Sequence, residues 1–234
     1  MGTENTYSPD IKEAIKSFWK TKQSQRQNST DDTNRGAVVG GKQLDGFIAL
    51  LKKISIDEGV PENCIFTKNN FIPGFFRASK NWDFLIISPD KKLIAVVELK
   101  SIVGSYGNNL NNRTEEAIGS AVDLWTAFRK NTFPNQQAPW VGYMMIIGKD
   151  AESTRIVKNN EPHFPVLHEF KNASYIKRYE ILCRKLILER HYTSTCLLWT
   201  SDEQSFGNIS DDISINSFIN SFRGYIHGII DDFG

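Results

Sequence analysis

Two acids and a lysine have the types and the spacing to do chemistry: Asp83 in Asn81-Trp82-Asp83-Phe84-Leu85-Ile86-Ile87, and Glu98 with Lys100 in Leu93-Ile94-Ala95-Val96-Val97-Glu98-Leu99-Lys100-Ser101. Both segments are apolar and β-like, and Pro89-Asp90-Lys91-Lys92 between them has turn composition, which predicts an antiparallel hairpin. Side chains alternate along a strand, so Glu98 and Lys100 share one face while Ala95, Val97 and Leu99 take the other. A carboxylate buried at the end of an apolar strand is costly unless it is paired or bound to a metal. Asp83 enters the neighbouring strand and can arrive beside Glu98, and two hard oxygen ligands suit Mg²⁺. An ammonium beside such an ion fits phosphodiester hydrolysis: the metal polarises a phosphoryl oxygen and acidifies a water, and Lys100 orients that water or offsets charge on phosphorus. The bland alternative is a solvated strand rim with a surface ion pair worth about 0–1 kcal/mol.

The elements that must position these groups follow from periodicity. Ser8-Pro9 caps a helix with Ile11, Ala14, Ile15, Phe18 and Trp19 on one face, expected to fade through Thr21 to Arg35, with a loop over Gln27 to Gly36. A second helix carries Leu44, Phe47, Ile48, Leu51 and Ile54 and stops at Gly59-Val60-Pro61. Short strands are predicted over Cys64 to Lys68, Trp82 to Ser88 and Leu93 to Ser101. An Asn/Gly-rich loop follows, then a helix capped by Thr114 with a stripe of Ala117, Ile118, Ala121, Val122, Trp125 and Phe128. Trp140 to Ile147 reads as a strand buried on both faces. A polar loop from Gly148 to Ala173, a helix from Ser174 to His191, a strand from Thr195 to Thr200 and a helix from Ile213 to Ile230 complete the chain. The order implies an α/β fold with a mixed central sheet flanked by helices. It is read as one domain: an N-terminal helix and polar loop (1–35), a core (36–147) and C-terminal helices and strand (148–234).

Composition sets the outer bounds. With 28 Lys+Arg against 27 Asp+Glu in 234 residues, the chain is no polycation that grips nucleic acid by bulk charge, although clustered carboxylates can mask a basic groove in such a sum. Cys64, Cys183 and Cys196 are scattered in apolar surroundings without metal spacing, which points to free thiols in a reducing, cytoplasmic setting. Met1 to Asp10 lacks the apolar core of a signal peptide, and no apolar run is long enough to span a bilayer.

Asp on one strand and Glu-x-Lys on its hairpin partner, after one helix and before a helix and a buried strand, resemble the PD-(D/E)XK nuclease superfamily and its restriction-endonuclease-like core. Trp82 stands where that superfamily usually has proline, and Asp45 on the preceding helix is the candidate for its occasional auxiliary acid. Further segments resemble the XhoI-type restriction endonucleases: Gly107-Asn108-Asn109, Asn111-Asn112-Arg113-Thr114-Glu115-Glu116-Ala117, Glu161-Pro162-His163-Phe164-Pro165, Ala173-Ser174-Tyr175 and Arg178-Tyr179-Glu180. The likeness runs from the Phe18-Trp19 helix to Trp199. It implies a type II enzyme that acts as a homodimer with Mg²⁺ on double-stranded DNA and cuts within a palindromic six-base site, CTCGAG.

Asn pairs bidentately with adenine and Arg with guanine, so Asn108, Asn109, Asn111, Asn112 and Arg113 are candidate DNA readers. Asn and Gly also gather in loops for purely conformational reasons. His163, stiffened between two prolines, is a further candidate, with a structural histidine as the equal alternative. Lys171, Lys177, Arg178, Arg184, Lys185 and Arg190 form either a solvated basic helix face or a set of phosphate contacts. The expected activity is a Mg²⁺-dependent, site-specific DNA endonuclease. The alternatives are a repair or structure-selective nuclease of the same fold, and a non-catalytic DNA-binding or protein-interaction module.

Overall fold

Alternating and continuous apolar segments build one six-stranded sheet, seen in a computed structural model that describes residues 6–28 and 42–233. Its strands are β1 (Ile65–Phe66), β4 (Phe84–Ile87), β5 (Leu93–Ile102), β6 (Trp140–Gly148), β7 (Ser194–Thr200) and β8 (Phe206–Asn208), and they lie in that order across the sheet. A separate small hairpin pairs β2 (Phe71–Pro73) with β3 (Ser79–Asn81). β4 runs antiparallel to both of its neighbours, β1 and β5; β5, β6 and β7 are parallel, and β8 returns antiparallel, so the sheet is mixed. Each parallel step needs a crossover helix. α3 (Tyr106–Arg129) connects β5 to β6, and α4 (Tyr175–Leu188) connects β6 to β7.

The pleat sorts the core into two layers. Ala95, Val97 and Leu99 of β5, with Met144 and Leu198, face α1 (Ser8–Asn28), α2 (Asp45–Asp57) and α5 (Ile215–Gly228). Val96 and Ile102, with Tyr143, Met145 and Leu197, face α3 and α4. Phe84 and Phe222 are fully buried on the first side with ring centroids 6.2 Å apart, and trimming either ring to Ala would cost about 3–5 kcal/mol. The expected turn closes the β4–β5 hairpin: Lys91 donates to the Ser88 carbonyl at 2.9 Å and adopts φ 67°.

Some elements differ from the sequence expectation. α1 continues to Asn28 instead of fading at Thr21. Lys20, Lys22 and Gln23 are good helix formers, and tertiary contacts hold the segment: Trp19 Nε1 donates to Thr200 Oγ1 at 2.8 Å and Gln23 to Glu203 at 3.3 Å. The loop expected up to Gly36 lies beyond the described residues from position 29.

The Asn-rich block, expected as a loop, forms the first turns of α3, and Thr114 is inside that helix rather than its cap. Gly104 (φ 81°) and Ser105 (φ 51°) turn the chain sharply into it. Tyr106 is fully buried, and its hydroxyl donates to Asp150 Oδ2 at 2.8 Å and contacts the Gly148 carbonyl at 3.1 Å. That anchor outweighs the weak helix propensity of four asparagines. Thr114 Oγ1 donates back to the Leu110 carbonyl at 2.9 Å, as a mid-helix threonine does. The β2–β3 hairpin and β8 went unforeseen because each strand is only three residues long and lacks an alternating apolar pattern.

Candidate active site

The hairpin brings the three predicted groups together. Asp83 stands just before β4; its backbone N–H donates to the Val97 carbonyl at 3.3 Å, and its Oδ2 accepts from the Leu99 N–H at 2.7 Å. It is therefore stitched to β5 on both sides of Glu98. Glu98 projects from the middle of the sheet, opposite Tyr143 of β6, and is 3 % exposed. Lys100, two residues on and on the same face, donates through Nζ to Glu98 Oε1.

A fourth group was missed by the sequence reading. Lys80, the middle residue of β3, places Nζ 2.9 Å from Glu98 Oε2 and 4.7 Å from the centroid of the buried Trp82 ring. Its contact with Oε2 is a charge pair without hydrogen-bond geometry, so that buried oxygen has no hydrogen bond. The signal was visible only as a lysine ahead of Asn81-Trp82-Asp83. Its role depends on the small hairpin, which periodicity did not reveal.

The electrostatics follow from crowding in a poorly solvated corner. Burial, and then the negative Glu98 carboxylate, push the Asp83 carboxyl up to about 6. Burial alone would lower the Lys100 ammonium, but Glu98 and Asp83 outweigh it and hold it above the usual lysine range, so it stays charged.

The donor set suits a small divalent cation. Glu98 Oε2 is buried with no hydrogen bond, and Asp83 Oδ1 has none among the described residues. No cluster of three or more His, Cys, Asp or Glu able to hold a metal occurs among the described residues. Two carboxylates, with water and a phosphate completing the shell, match Mg²⁺, which keeps much of its hydration, better than a metal needing a full protein cage. Any such ion would have to draw Glu98 Oε2 away from Lys80.

Lys80, Glu98 and Lys100, but not Asp83, line a cavity of about 490 Å³ bounded by Arg77 on the same side and by Arg113, Glu115 and Glu116 of α3 on the other. Arg113 is half-buried, pairs with Glu116 at 2.5 Å, and has an Nε with no partner. Asn108, Asn111 and Asn112 are exposed on the adjoining face of α3, while Asn109 is half-buried and donates to the Ser105 carbonyl at 2.9 Å.

The remaining candidates lie elsewhere. Asp45 is exposed in the first turn of α2 and makes no hydrogen bond or ion pair among the described residues. Its neighbour Gln43 is buried and donates to Ser101 Oγ at 2.5 Å. His163 sits in an exposed segment whose Phe164 is 84 % exposed. The basic face of α4 is internally compensated: Lys177 and Arg184 meet Glu180 at 3.1 and 2.6 Å, Lys185 meets Glu169 at 2.5 Å, and Arg178 reaches Asn159 at 2.6 Å.

Comparison with known proteins gives the family. Residues 22–211 match the family model described as restriction endonuclease XhoI. The chain is 49% identical over 212 residues to the type II restriction enzyme BstVI of Geobacillus stearothermophilus, a match covering 86% of this chain and 95% of that protein. It is 44% identical over 182 residues to the type II restriction enzyme XhoI of Xanthomonas vasicola, covering 75% of this chain and 73% of the relative. The type II restriction enzyme AbrI of Azospirillum brasilense is 39% identical over 165 residues, covering 68% and 74%. No solved structure matches the chain. With the mixed sheet and the acid-lysine corner in place, the chain belongs to the XhoI family of type II restriction endonucleases.

Proposed function

We propose that this chain, working as a single domain in the cytoplasm, makes Mg²⁺-dependent double-strand cuts in DNA at a palindromic site, CTCGAG by family resemblance. The observation that carries the reading is the convergence of Asp83, Glu98 and Lys100 at one corner of the hairpin, with Glu98 buried beside two ammonium groups. Asp83 and Glu98 would hold the metal, and a divalent ion there would supply Lewis acidity toward a phosphoryl oxygen and a water. Lys100 remains protonated and gives that water and the developing phosphorane charge a fixed ammonium. With a cation on Glu98, Lys80 would be free to contact the phosphate backbone, in company with Arg77 and Arg113 on the cavity wall.

Base reading falls to Asn108, Asn111 and Asn112 on the outer face of α3, with Asn109 buttressing the turn and His163 reaching the flank. Asp45, exposed on α2 two residues beyond the Gln43 that contacts Ser101, is the candidate auxiliary acid. A palindrome cut on both strands calls for two sites related by a twofold axis, so the working form is a homodimer.

The test is a plasmid digest with Mg²⁺ and with chelator, followed by sequencing of the ends. Discrete fragments ending within CTCGAG, lost with chelator and in Glu98→Ala, are expected. Nicking, smearing or metal-independent cutting would point to a different nuclease of this fold.

A further inference from the structure

Five residues after the end of β1 the chain enters the β2–β3 hairpin, whose tip carries Gly74, Phe75, Phe76 and Arg77. Phe75 and Phe76 are 48 % and 71 % exposed, and Phe71 at the base is 62 % exposed. Their rings pack edge to face with centroids 5.0 Å apart. Exposed phenylalanines in a flexible loop would have little meaning, but this tip is fixed.

Asp123 of α3, itself 3 % exposed, accepts from the Phe75 N–H at 2.8 Å, from the Phe76 N–H at 2.7 Å and from Arg77 Nε at 2.7 Å. Burial opposes charge on that carboxyl, yet Arg77 and the two backbone donors overcome it and hold it below the usual range. Gly74 is required at the clamp, because a Cβ there would overlap Asp123 Oδ2. The same Arg77 lines the cavity that contains Glu98 and Lys100.

A rigid pair of apolar rings thus stands beside a cavity whose walls carry four cations, Arg77, Lys80, Lys100 and Arg113, against the carboxylates of Glu98, Glu115 and Glu116. A polyanion with apolar faces between its charged backbones answers both features, and duplex DNA is such a ligand. We infer that Phe75 and Phe76 form a wedge that enters a base step of the bound duplex next to the scissile phosphate, held at fixed height by Asp123. This rests on the DNA-cleavage reading above. Insertion of an apolar side chain unstacks a step at a cost of a few kcal/mol. A pre-fixed arm avoids the further entropy loss of ordering on binding. The wedge also gives sequence preference without a hydrogen bond to a base, because flexible pyrimidine–purine steps open more readily than others.

The test uses the full chain carrying Lys100→Ala, so that a duplex containing CTCGAG stays uncut with Mg²⁺, and the duplex carries 2-aminopurine at successive positions in and beside the site. A severalfold fluorescence rise is expected at one step. It should vanish in Phe75→Ala/Phe76→Ala with about 10- to 100-fold weaker binding, and persist in part in Phe75→Leu/Phe76→Leu. Because both rings are exposed, the melting temperature should hold, and Gly74→Ala, which displaces the arm while keeping the rings, should also dim the probe. An undiminished signal in the double alanine variant, or no rise at any position, overturns the wedge. So does halving of the sedimenting mass with the probe signal intact, which would assign the rings to contact with a second copy. The wedge can fail on its own when the chain with Lys100 intact still cuts plasmid DNA at discrete sites; a chain that does not cut duplex DNA overturns both readings.

Discussion

Two basic regions of this molecule look alike in sequence and behave differently in space. On α4, Lys177, Arg184 and Lys185 have side chains 39–46 % exposed and sit against Glu180, Asp212 and Glu169. At the hairpin corner, Lys80 and Lys100 have side chains only 13 % and 21 % exposed and flank a Glu98 side chain that is 4 % exposed. Water screens the first set, so each pair contributes about 0–1 kcal/mol. In the second set the same charges act through poorly polarisable surroundings, which is why Asp83 is displaced upward and Lys100 is held charged. Pairing on a buried carboxylate does not by itself set the hairpin corner apart, since Glu180 on α4 is also only 8 % exposed; burial of the cations along with the carboxylate does.

The largest effect that would break this contrast is on cleavage. Lys100→Ala and Glu98→Ala should each lower the cutting rate by about a thousandfold or more in a digest time course. The paired substitution Lys177→Ala/Lys185→Ala on α4 should leave it within about twofold.

The next effect is on stability and carries a pH signature. The folded carboxyl of Asp83 titrates at about 6, above the 3.8 of an unperturbed aspartate, so the fold prefers its neutral form. The stabilisation from this preference is complete below the unfolded value and is lost as pH rises through about 6. In metal-free protein, Asp83→Asn should therefore raise unfolding stability above pH 7 by on the order of 2 kcal/mol, and have little effect near pH 4. Urea melts at the two pH values, with chelator present, measure it; a variant that is destabilised at both would contradict the crowding described here.

A smaller effect sharpens the role of Lys80. Its ammonium lies 2.9 Å from Glu98 Oε2, where it would compete with the proposed cation. Lys80→Met should tighten Mg²⁺ binding severalfold in the absence of DNA while weakening duplex binding, as read by calorimetry and by a gel-shift titration. The smallest effect is again on α4: Lys185→Ala should shift the unfolding free energy by less than about 1 kcal/mol.

The sequence made one of these regions readable and misjudged part of the surroundings. The alternation in Leu93 to Ser101 placed Glu98 and Lys100 on one face, and the Pro89 to Lys92 turn put Asp83 beside them, because hairpin register follows from local rules. α3 could not be read from its first turns, since its start is set by a long-range anchor, the Tyr106 hydroxyl on Asp150 and Gly148. The same holds for Lys80, which meets Glu98 only through the small hairpin, and for Arg77 and Asp123, which meet each other across more than forty residues. Local pattern located the acids; the groups that crowd, clamp and extend the site are tertiary.

The most direct test of that corner is a calorimetric titration of Mg²⁺ into the chain in the presence of uncleavable duplex, compared across Asp83→Asn, Glu98→Ala and Lys177→Ala. Binding should be lost in Glu98→Ala, weakened at least tenfold in Asp83→Asn and unchanged in Lys177→Ala. Equal binding by all of them would place the metal elsewhere and contradict the account.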